Sequence, residues 1–276
     1  MRTLERLSRL LGDVPSDAME IRIRANRRVQ YRCLSGERFG ETVCAGRLND
    51  ILASLTDHSL HAREAEFRQG CFTLEDGCRV GVCGRAAWDG NRVTAMTAIG
   101  SICIRICREI RGAADGFYDF LFHHDKPASA LIVSAPGMGK TTALREAARR
   151  LSEDGYNVCI ADERHELAAC VNGVPSLDVG PRTDVVDGCP KRIAVMQLLR
   201  AASPQVIVTD EIGDRRDAEA LSDAVRCGVA VLASAHAGSF EALALRRSIP
   251  RGVFGTGILL GDTPGQVKAI RRIQGG

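Results

Sequence analysis

Aromatic side chains are scarce in this sequence, and nothing in it points to a membrane span. Phe, Trp and Tyr make up 4% of the 276 residues. No uncharged stretch approaches the roughly 18–20 residues that a spanning helix needs. The charged, amphipathic start MRTLERLSRLLGDVP lacks the apolar core of a signal peptide. Any role at a membrane is therefore expected to be peripheral.

Strong charge and metal-ligand spacing are missing as well. The net charge of +3 is too small to argue for a nucleic-acid partner. The 11 cysteines are odd in number and form no C-x-x-C pair, so we expect reduced, mostly buried thiols. No ligand frame joins His58, His61, His123 and His124, which we expect at the surface. The composition favours an ordinary soluble protein without a disulfide or zinc scaffold.

The first part of the chain has the patterns of a small α+β domain. TLERLSRLLGDV has leucines at helical spacing, and EIRIRANRRVQYRC alternates apolar and charged residues as a half-exposed strand does. NDILASLTDHSLHAREAEFRQG predicts a helix pair or one long helix. Two turn signals, Asp76-Gly77 and Asp89-Gly90-Asn91, separate further strand-like runs.

The second part is predicted to be an α/β domain with a mainly parallel sheet and helices on both faces. ALIVS, YNVCIA, QVIVTD and GVAVLASA are short apolar runs without alternation, and helical stretches lie between most of them. Gly, Asp and Lys-Pro interrupt the pattern in REIRGAADGFYDFLFHHDKPAS. We therefore predict an N-terminal domain over 1–112 and an α/β domain over 113–276.

A phosphate-binding loop is predicted between the first of these strands and the next helix. The motif G-x-x-x-x-G-K-[ST] curls backbone N–H groups around phosphates at a helix N-terminus. Its positions here, with one further donor, are Ser134, Ala135, Pro136, Gly137, Met138, Gly139, Lys140, Thr141 and Thr142. Lys140 is expected to reach the β- and γ-phosphates, and Thr141 to hold Mg²⁺. Ser134 replaces the first glycine, which we expect to be tolerated because Gly137 and Gly139 remain at the tightest bends.

Two more strands deliver candidate catalytic groups. QVIVTDEIGD carries Asp210, which fits the Mg²⁺-orienting carboxylate of a Walker B strand, and Glu211, a candidate general base. VAVLASAHAGS carries His236, a candidate sensor of the γ-phosphate. Active groups of parallel sheets collect at the carboxyl edge, so we expect these side chains near the phosphate loop. No N-K-x-D stretch selects guanine, which makes Mg²⁺ and ATP the expected cofactors.

The combination of motifs resembles the stage III sporulation protein AA family over nearly the whole chain. SAPGMGKTT, ASPQVIVTDEIGD and SAHAGS carry the resemblance, and DERHELAACVNGVPSLDVGPRTDVVDGCPK is its most specific part. More widely, the sequence is similar to the secretion-superfamily ATPases of type II and type IV secretion and pilus assembly. The resemblance implies a P-loop NTPase domain of the RecA-like (ASCE) kind with a smaller N-terminal domain stacked on it.

The same resemblance implies a function and a set of partners. It implies a hexameric ATP-hydrolysing motor that energises a channel between mother cell and forespore during sporulation. The motor would sit in the cytoplasm at the mother-cell face of the membrane, with membrane-embedded channel proteins as partners. By the same resemblance, Asp162, Glu163 and Glu166 form an acidic box, while Glu211 is the Walker B glutamate and His236 the box histidine.

The resemblance leaves the metal ligand and the partner arginine open. The wider superfamily often has glycine where this chain has Asp210, and an acidic residue at this position resembles AAA-type sites instead. Which acid binds the metal is therefore open, and Asp162 is a further candidate. A trans arginine can raise the rate of hydrolysis by ~10³–10⁵-fold. Arg182 is the first candidate, and the N-terminal arginines Arg79, Arg85 and Arg105 form a second set.

On the residues alone, two other functions stay open. One is a nucleic-acid-dependent ATPase, which the arginine-rich RIRANRRVQYR favours. The other is a nucleotide-gated scaffold with little turnover, because intact site residues do not fix a rate.

Overall fold

The computed structural model describes residues 3–57, 67–68, 70–74, 76–107, 109–244, 246, 249–250, 252–261 and 266–272. The chain divides into two units, Met1–Cys107 and Arg108–Gly276. His58 and His61 fall outside the described residues. In the ranges just given, no helix is both long enough and apolar enough to cross a membrane.

In its described residues, the first unit contains a six-stranded antiparallel sheet and two helices. Its sheet order is β3-β2-β1-β6-β5-β4. The elements are α1 (Thr3–Leu11), β1 (Ala18–Arg24), β2 (Arg27–Cys33), β3 (Gly36–Val43), α2 (Ala45–Leu55), β4 (Cys71–Thr73), β5 (Arg79–Trp88) and β6 (Val93–Arg105). Leu7 of α1 and Leu48 and Ile51 of α2 pack with Ile21 and Ile23 of β1 in one core. The predicted α+β architecture and both turn signals are confirmed.

The half-exposed strand predicted in EIRIRANRRVQYRC is confirmed in β1, but the segment also contains a turn and a second strand, which were not predicted. β1 and β2 pair antiparallel, with Ile21 opposite Tyr31. The chain reverses at Ala25-Asn26, where Asn26 has φ 59°. Asparagine tolerates this left-handed conformation, which tight turns require. Apolar and polar residues alternate on both sides of the short turn, and the pattern therefore hides the reversal.

The second unit contains a seven-stranded sheet with the order β11-β10-β12-β13-β9-β14-β15. All neighbouring pairs are parallel except β14 with β15. After a 3₁₀ helix at Tyr118–Leu121, the elements are β7 (Phe122–His123), β8 (Lys126–Pro127), β9 (Ala130–Ser134), α3 (Lys140–Glu153), β10 (Val158–Asp162), β11 (Thr183–Asp187), α4 (Lys191–Ala201), β12 (Val206–Glu211), α5 (Arg215–Arg226), β13 (Ala230–His236), α6 (Phe240–Ala244), β14 (Thr256–Leu260) and β15 (Val267–Arg272).

Alternate residues of the parallel strands face two separate cores. Ile132 of β9 packs in one core with Leu144 of α3. Leu131 of β9 packs in the other with Leu198 of α4 and Leu221 of α5. Both faces are apolar because each is covered by helices, which explains why the strand sequences do not alternate. The predicted mainly parallel sheet with helices on both faces is confirmed.

Residues 109–112 belong with the second unit, although we expected its domain to begin at 113. The backbone N–H of Gly112 donates to Glu146 Oε1 of α3 at 3.0 Å. The side chain of Glu109 accepts the N–H of Asp178 at 2.9 Å. These contacts fix the connecting segment to α3 through Gly112 and to the loop before β11 through Glu109.

In the first unit, Asp76 fastens the start of α1 to the turn between β4 and β5. The N–H and Oγ1 of Thr3 donate to its two carboxylate oxygens at 2.6 and 2.7 Å. Burial alone would raise the pKa of Asp76, but the hydrogen bonds from Thr3 and Cys78 outweigh it and lower that pKa. The charged carboxylate is therefore favoured in the folded unit.

Replacing Asp76 should weaken the first unit in a pH-dependent way. Asp76→Asn is expected to lower the free energy of unfolding by about 1–2 kcal/mol at neutral pH. A lowered folded-state pKa gives stability that is present above the unfolded value and is lost as the pH falls through the folded one. The difference from wild type should therefore shrink in acid.

Denaturant unfolding, followed by fluorescence of the sole tryptophan, Trp88, measures this difference. The exposed Asp50 of α2 offers a control, since Asp50→Asn should change the unfolding free energy little. A loss of stability that stays constant from neutral to acid pH would contradict a role for the charge.

Candidate nucleotide-binding site

The phosphate loop needs glycine at two places, and residue 134 is not one of them. Ser134 is the last residue of the extended strand β9 and is buried. Gly137 and Gly139 have φ 80° and 84°, in the left-handed region that favours glycine. Ser134 fits because the chain has not yet begun to turn. The loop then leads directly into α3, whose first residue is Lys140.

The side chain of Lys140 is enclosed by its own loop. It is 6% exposed. Its Nζ donates to the carbonyl oxygens of Ser134 and Ala135 at 3.1 and 3.0 Å, and to Ser134 Oγ at 3.2 Å. A fourth contact, at 2.8 Å, joins Nζ to His236 Nδ1. Thr141 and Thr142 follow in the first turn of α3 and are half-buried.

His236 and Glu211 meet beside the loop because of the strand order. β13 lies between β9 and β12, with His236 opposite Ser134 and Glu211 opposite Ser234. His236 Nε2 is 3.1 Å from Glu211 Oε2. Since the Lys140 ammonium can only donate to Nδ1, a neutral ring carries its proton on Nε2, the nitrogen that faces the carboxylate. Lys140, His236 and Glu211 thus form one line of close polar contacts.

Arg246 was not predicted as a site residue, yet its guanidinium lies near the Glu211 end of this line of contacts. Its Nη1 is 3.8 Å from Glu211 Oε1. The Glu211 carboxylate therefore lies between an imidazole nitrogen and a guanidinium, which restrict the directions it can take.

Asp210 is paired with a lysine that sequence reasoning missed. Lys191 Nζ lies 2.6 Å from Asp210 Oδ1, and the two residues are 2% and 5% exposed. The same ammonium donates to the backbone carbonyl of Glu211. Burial raises the pKa of Asp210, while the Lys191 ammonium acts in the opposite direction. The one sequence signal for Lys191 was its position after Pro190, at the end of the family-specific segment.

The Asp162 side chain fixes the backbone of the acidic box. It is fully buried, and its two oxygens accept the backbone N–H groups of Glu166, Leu167 and Ala168 at 2.9, 3.1 and 2.8 Å. These bonds use most of the carboxylate's accepting capacity on the loop itself. A metal-binding role for Asp162 stays a prediction, and Glu163 is exposed at the surface.

Arg145 of α3 also bonds to the backbone of this loop. Its buried guanidinium donates to the carbonyl oxygens of Leu167 and Glu166, both at 2.6 Å. The helix that begins at the phosphate loop is therefore bonded directly to the acidic box.

Arg182 lies at the opposite edge of the sheet from the phosphate loop. It precedes β11, and its N–H donates to Ser152 Oγ near the end of α3, at 2.6 Å. Twelve residues of α-helix separate Ser152 from Lys140, which corresponds to about 18 Å. The exposed side chain of Arg182 does not serve its own chain's loop, and its role in a neighbouring subunit stays a prediction. Arg79, Arg85 and Arg105 lie on β5 and β6 of the first unit, and their trans role also stays a prediction.

Comparisons with known proteins agree with the fold of the second unit and of the chain as a whole. The Legionella pneumophila ATPase DotB superimposes with a TM-score of 0.61 and 14% identity, covering 90% of this chain and 78% of that one. The pilus retraction motor PilT, solved with ADP, gives a TM-score of 0.59 and 16% identity, covering 95% of this chain and 78% of that one. At these identities the likeness shows the fold, which is that of the P-loop secretion ATPases.

Sequence comparison reaches further. The chain is 36% identical to the stage III sporulation protein AA of Bacillus subtilis over 262 residues, which is 90% of this chain and 83% of that protein. A family described as "Sporulation stage III, protein AA" matches residues 8–276. The chain belongs to the sporulation stage III protein AA family.

Proposed function

We propose that this protein binds ATP at the phosphate loop, hydrolyses it, and works as a ring-shaped motor of a sporulation channel. The observation that carries the proposal is the line of close polar contacts from Lys140 through His236 to Glu211, with distances of 2.8 and 3.1 Å. It joins the group that would hold the terminal phosphate to the group that would activate water. Such a chain is suited to phosphoryl transfer, in which positioning and charge supply nearly all of the catalysis.

The enclosed ammonium favours a polyanionic ligand. Burial lowers the pKa of Lys140 to about 8, while the Glu211 carboxylate acts to raise it. A cation that is costly to hold inside the loop gains strongly from closely spaced phosphate oxygens. The backbone N–H groups at the start of α3 favour the same charge.

Glu211 is the residue best placed to accept a proton from attacking water. The close contact with His236 Nε2 orients its carboxylate, and the Arg246 guanidinium lies 3.8 Å from its other oxygen. His236 would report the γ-phosphate, because that phosphate competes with Nδ1 for the Lys140 ammonium. We assign Glu211 the role of general base and His236 that of switch.

The donor set at the loop suits Mg²⁺, a hard cation that prefers oxygen ligands. The Thr141 hydroxyl at the start of α3 and the Glu211 carboxylate at the end of β12 are such groups, whereas Asp210, the Mg²⁺ ligand expected from the sequence, is engaged by Lys191. When bound, Mg²⁺ would neutralise charge that develops on the β- and γ-phosphates.

The motor role rests on family and fold. Membership of a sporulation stage III family and the fold of secretion ATPases favour work on a membrane complex at the mother-cell side. A hexamer is the ring we propose, with an arginine such as Arg182 reaching a neighbour's nucleotide. Its partners would be membrane-embedded channel proteins.

Nucleic acid is a weaker candidate partner than the sequence suggested. Arg22 pairs with Glu20, Arg24 donates to Gln30, and Arg28 donates to the carbonyl oxygens of Phe39 and Gly40. These arginines bond to groups of their own sheet, which reduces their capacity to bind phosphates.

Two substitutions test the site assignment. Lys140→Ala should abolish ATP binding, because the phosphates lose their ammonium. Glu211→Gln should bind ATP within about threefold of wild type but reduce turnover by ~10²–10⁴-fold, the usual contribution of a general base. Steady-state phosphate release and calorimetric ATP binding measure the two effects.

Glu219→Gln, on the exposed side of α5, is the matched control and should turn over at the wild-type rate. Wild-type hydrolysis by Lys140→Ala would refute the site. Tight ATP binding by wild type without turnover above Glu211→Gln would favour the scaffold.

The buried ammonium also predicts a pH effect on stability. The folded-state pKa of Lys140 lies below that of an unfolded lysine, so the folded protein gains stability as the pH rises between the two values. Lys140→Met lacks this group. We expect the stability of wild type relative to Lys140→Met to rise by about 1–3 kcal/mol between pH 7 and pH 10. Denaturant unfolding without nucleotide measures it, and a constant difference would contradict a charge held at high cost.

Oligomeric state tests the motor as distinct from the site. Size-exclusion chromatography with light scattering should show a hexamer that a non-hydrolysable ATP analogue promotes. Lys140→Ala should not respond to the analogue. A wild-type chain that stays monomeric with saturating analogue would contradict the ring.

A further inference from the structure

The carboxyl end of β12 carries an extra residue just before Glu211. Val208 is opposite Leu232 of β13, whereas Glu211 is opposite Ser234. Three steps along β12 therefore match two steps along β13, which is the count of a β-bulge. Bulges re-aim side chains and commonly lie beside active sites. The direction in which Glu211 leaves the strand is consequently not set by regular pairing.

Lys191 spans this irregular stretch from the neighbouring helix. It is the first residue of α4, and its ammonium contacts both bulge neighbours, Asp210 through Oδ1 at 2.6 Å and Glu211 through the backbone carbonyl. The next residue, Ile212, donates its N–H to the Ser234 carbonyl at 3.1 Å and resumes the connection to β13. The buried Lys191 ammonium thus contacts a side-chain oxygen of Asp210 and the main-chain oxygen of Glu211, two consecutive residues at the bulge.

A buried ion pair is weak evidence for stability, because removing both charges from water costs about as much as their attraction returns. A pair of apolar residues would pack α4 on β12 as well. The pair here gives something that apolar packing lacks, namely a fixed hydrogen bond to the carbonyl of the candidate base.

We propose that Lys191 is a positioning residue for Glu211, with Asp210 serving as the counter-ion that holds Lys191 in place. This proposal rests on the proposed ATPase function. It assigns three acids three tasks. Asp162 accepts the N–H groups of its loop, Asp210 holds Lys191, and Glu211 faces His236 and the phosphate loop. The lysine acts through the strand and touches no reacting atom.

Lys191→Met alone would leave the Asp210 carboxylate buried without its cation, and misfolding of that variant would say nothing about positioning. Lys191→Met combined with Asp210→Asn removes both charges together and keeps similar volumes. Arg200→Met, at the exposed end of the same helix, is the matched control.

The first measurement is steady-state ATP hydrolysis by the full chain. The double variant should bind Mg-ATP with a KM within about threefold of wild type, while kcat falls by roughly 10–100-fold. Arg200→Met should change neither. A kcat within twofold of wild type would overturn the proposal. A KM for Mg-ATP raised tenfold or more at constant kcat would also overturn it, because Asp210 would then act in binding.

The second measurement needs no nucleotide and separates this proposal from the proposed function. Hydrogen exchange at the Ile212 amide should be at least tenfold faster in the double variant than in wild type, because the bulge loses its bridge. Unchanged exchange at this amide overturns the positioning role. Faster exchange in a protein whose wild type hydrolyses no ATP would uphold the role of Lys191 in the strand and refute the ATPase instead.

Discussion

The position of β13 between β9 and β12 is the constraint on which the site depends. Parallel pairing in register brings the ends of three strands to one edge, so that His236 is flanked by the phosphate loop on one side and Glu211 on the other. If β9 and β12 were neighbours, Lys140 and Glu211 would face each other without an imidazole between them. The central strand therefore places an imidazole between the loop lysine and the Glu211 carboxylate.

Buried charge is concentrated around this edge, and the buried charged groups described there lie against specific partners. Lys140 donates to carbonyl oxygens and contacts an imidazole, Lys191 forms an ion pair with Asp210, and Asp162 accepts backbone N–H groups. Groups buried in this way are costly for stability but become ordered, because each has few other conformations that satisfy it. A phosphoryl-transfer site benefits from such order, since its catalysis depends on positioning.

The sequence predicted what short-range patterns encode. Four apolar runs became β9, β10, β12 and β13, and the glycine positions of the phosphate loop agree with its backbone angles. The hairpin at Ala25-Asn26 was missed because alternation is the same on both sides of a two-residue turn. β11 (TDVVD) and β14 (TGILL) contain only two and three consecutive large apolar residues, and neither strand was predicted.

Long-range partners were beyond the reach of sequence patterns. Lys191 looks like any lysine at a helix start, and only the structure shows that its ammonium is buried on Asp210. The opposite lesson holds for Arg182. It directly precedes a parallel strand, and this alone places it at the amino edge, away from the carboxyl edge where the phosphate loop lies.

The bond between Arg145 and the acidic box has a mechanical consequence. Arg145 lies little more than one helical turn after the first residue of α3. Its guanidinium donates directly to two carbonyl oxygens of the box. A stiff helix transmits a shift at one end to the other with little loss. A tilt of α3 by a fraction of an ångström would therefore drag the backbone at 166–167 with it and displace the exposed Glu163 nearby. A shift inside the phosphate loop would then change the position of a side chain on the outer surface of the protein.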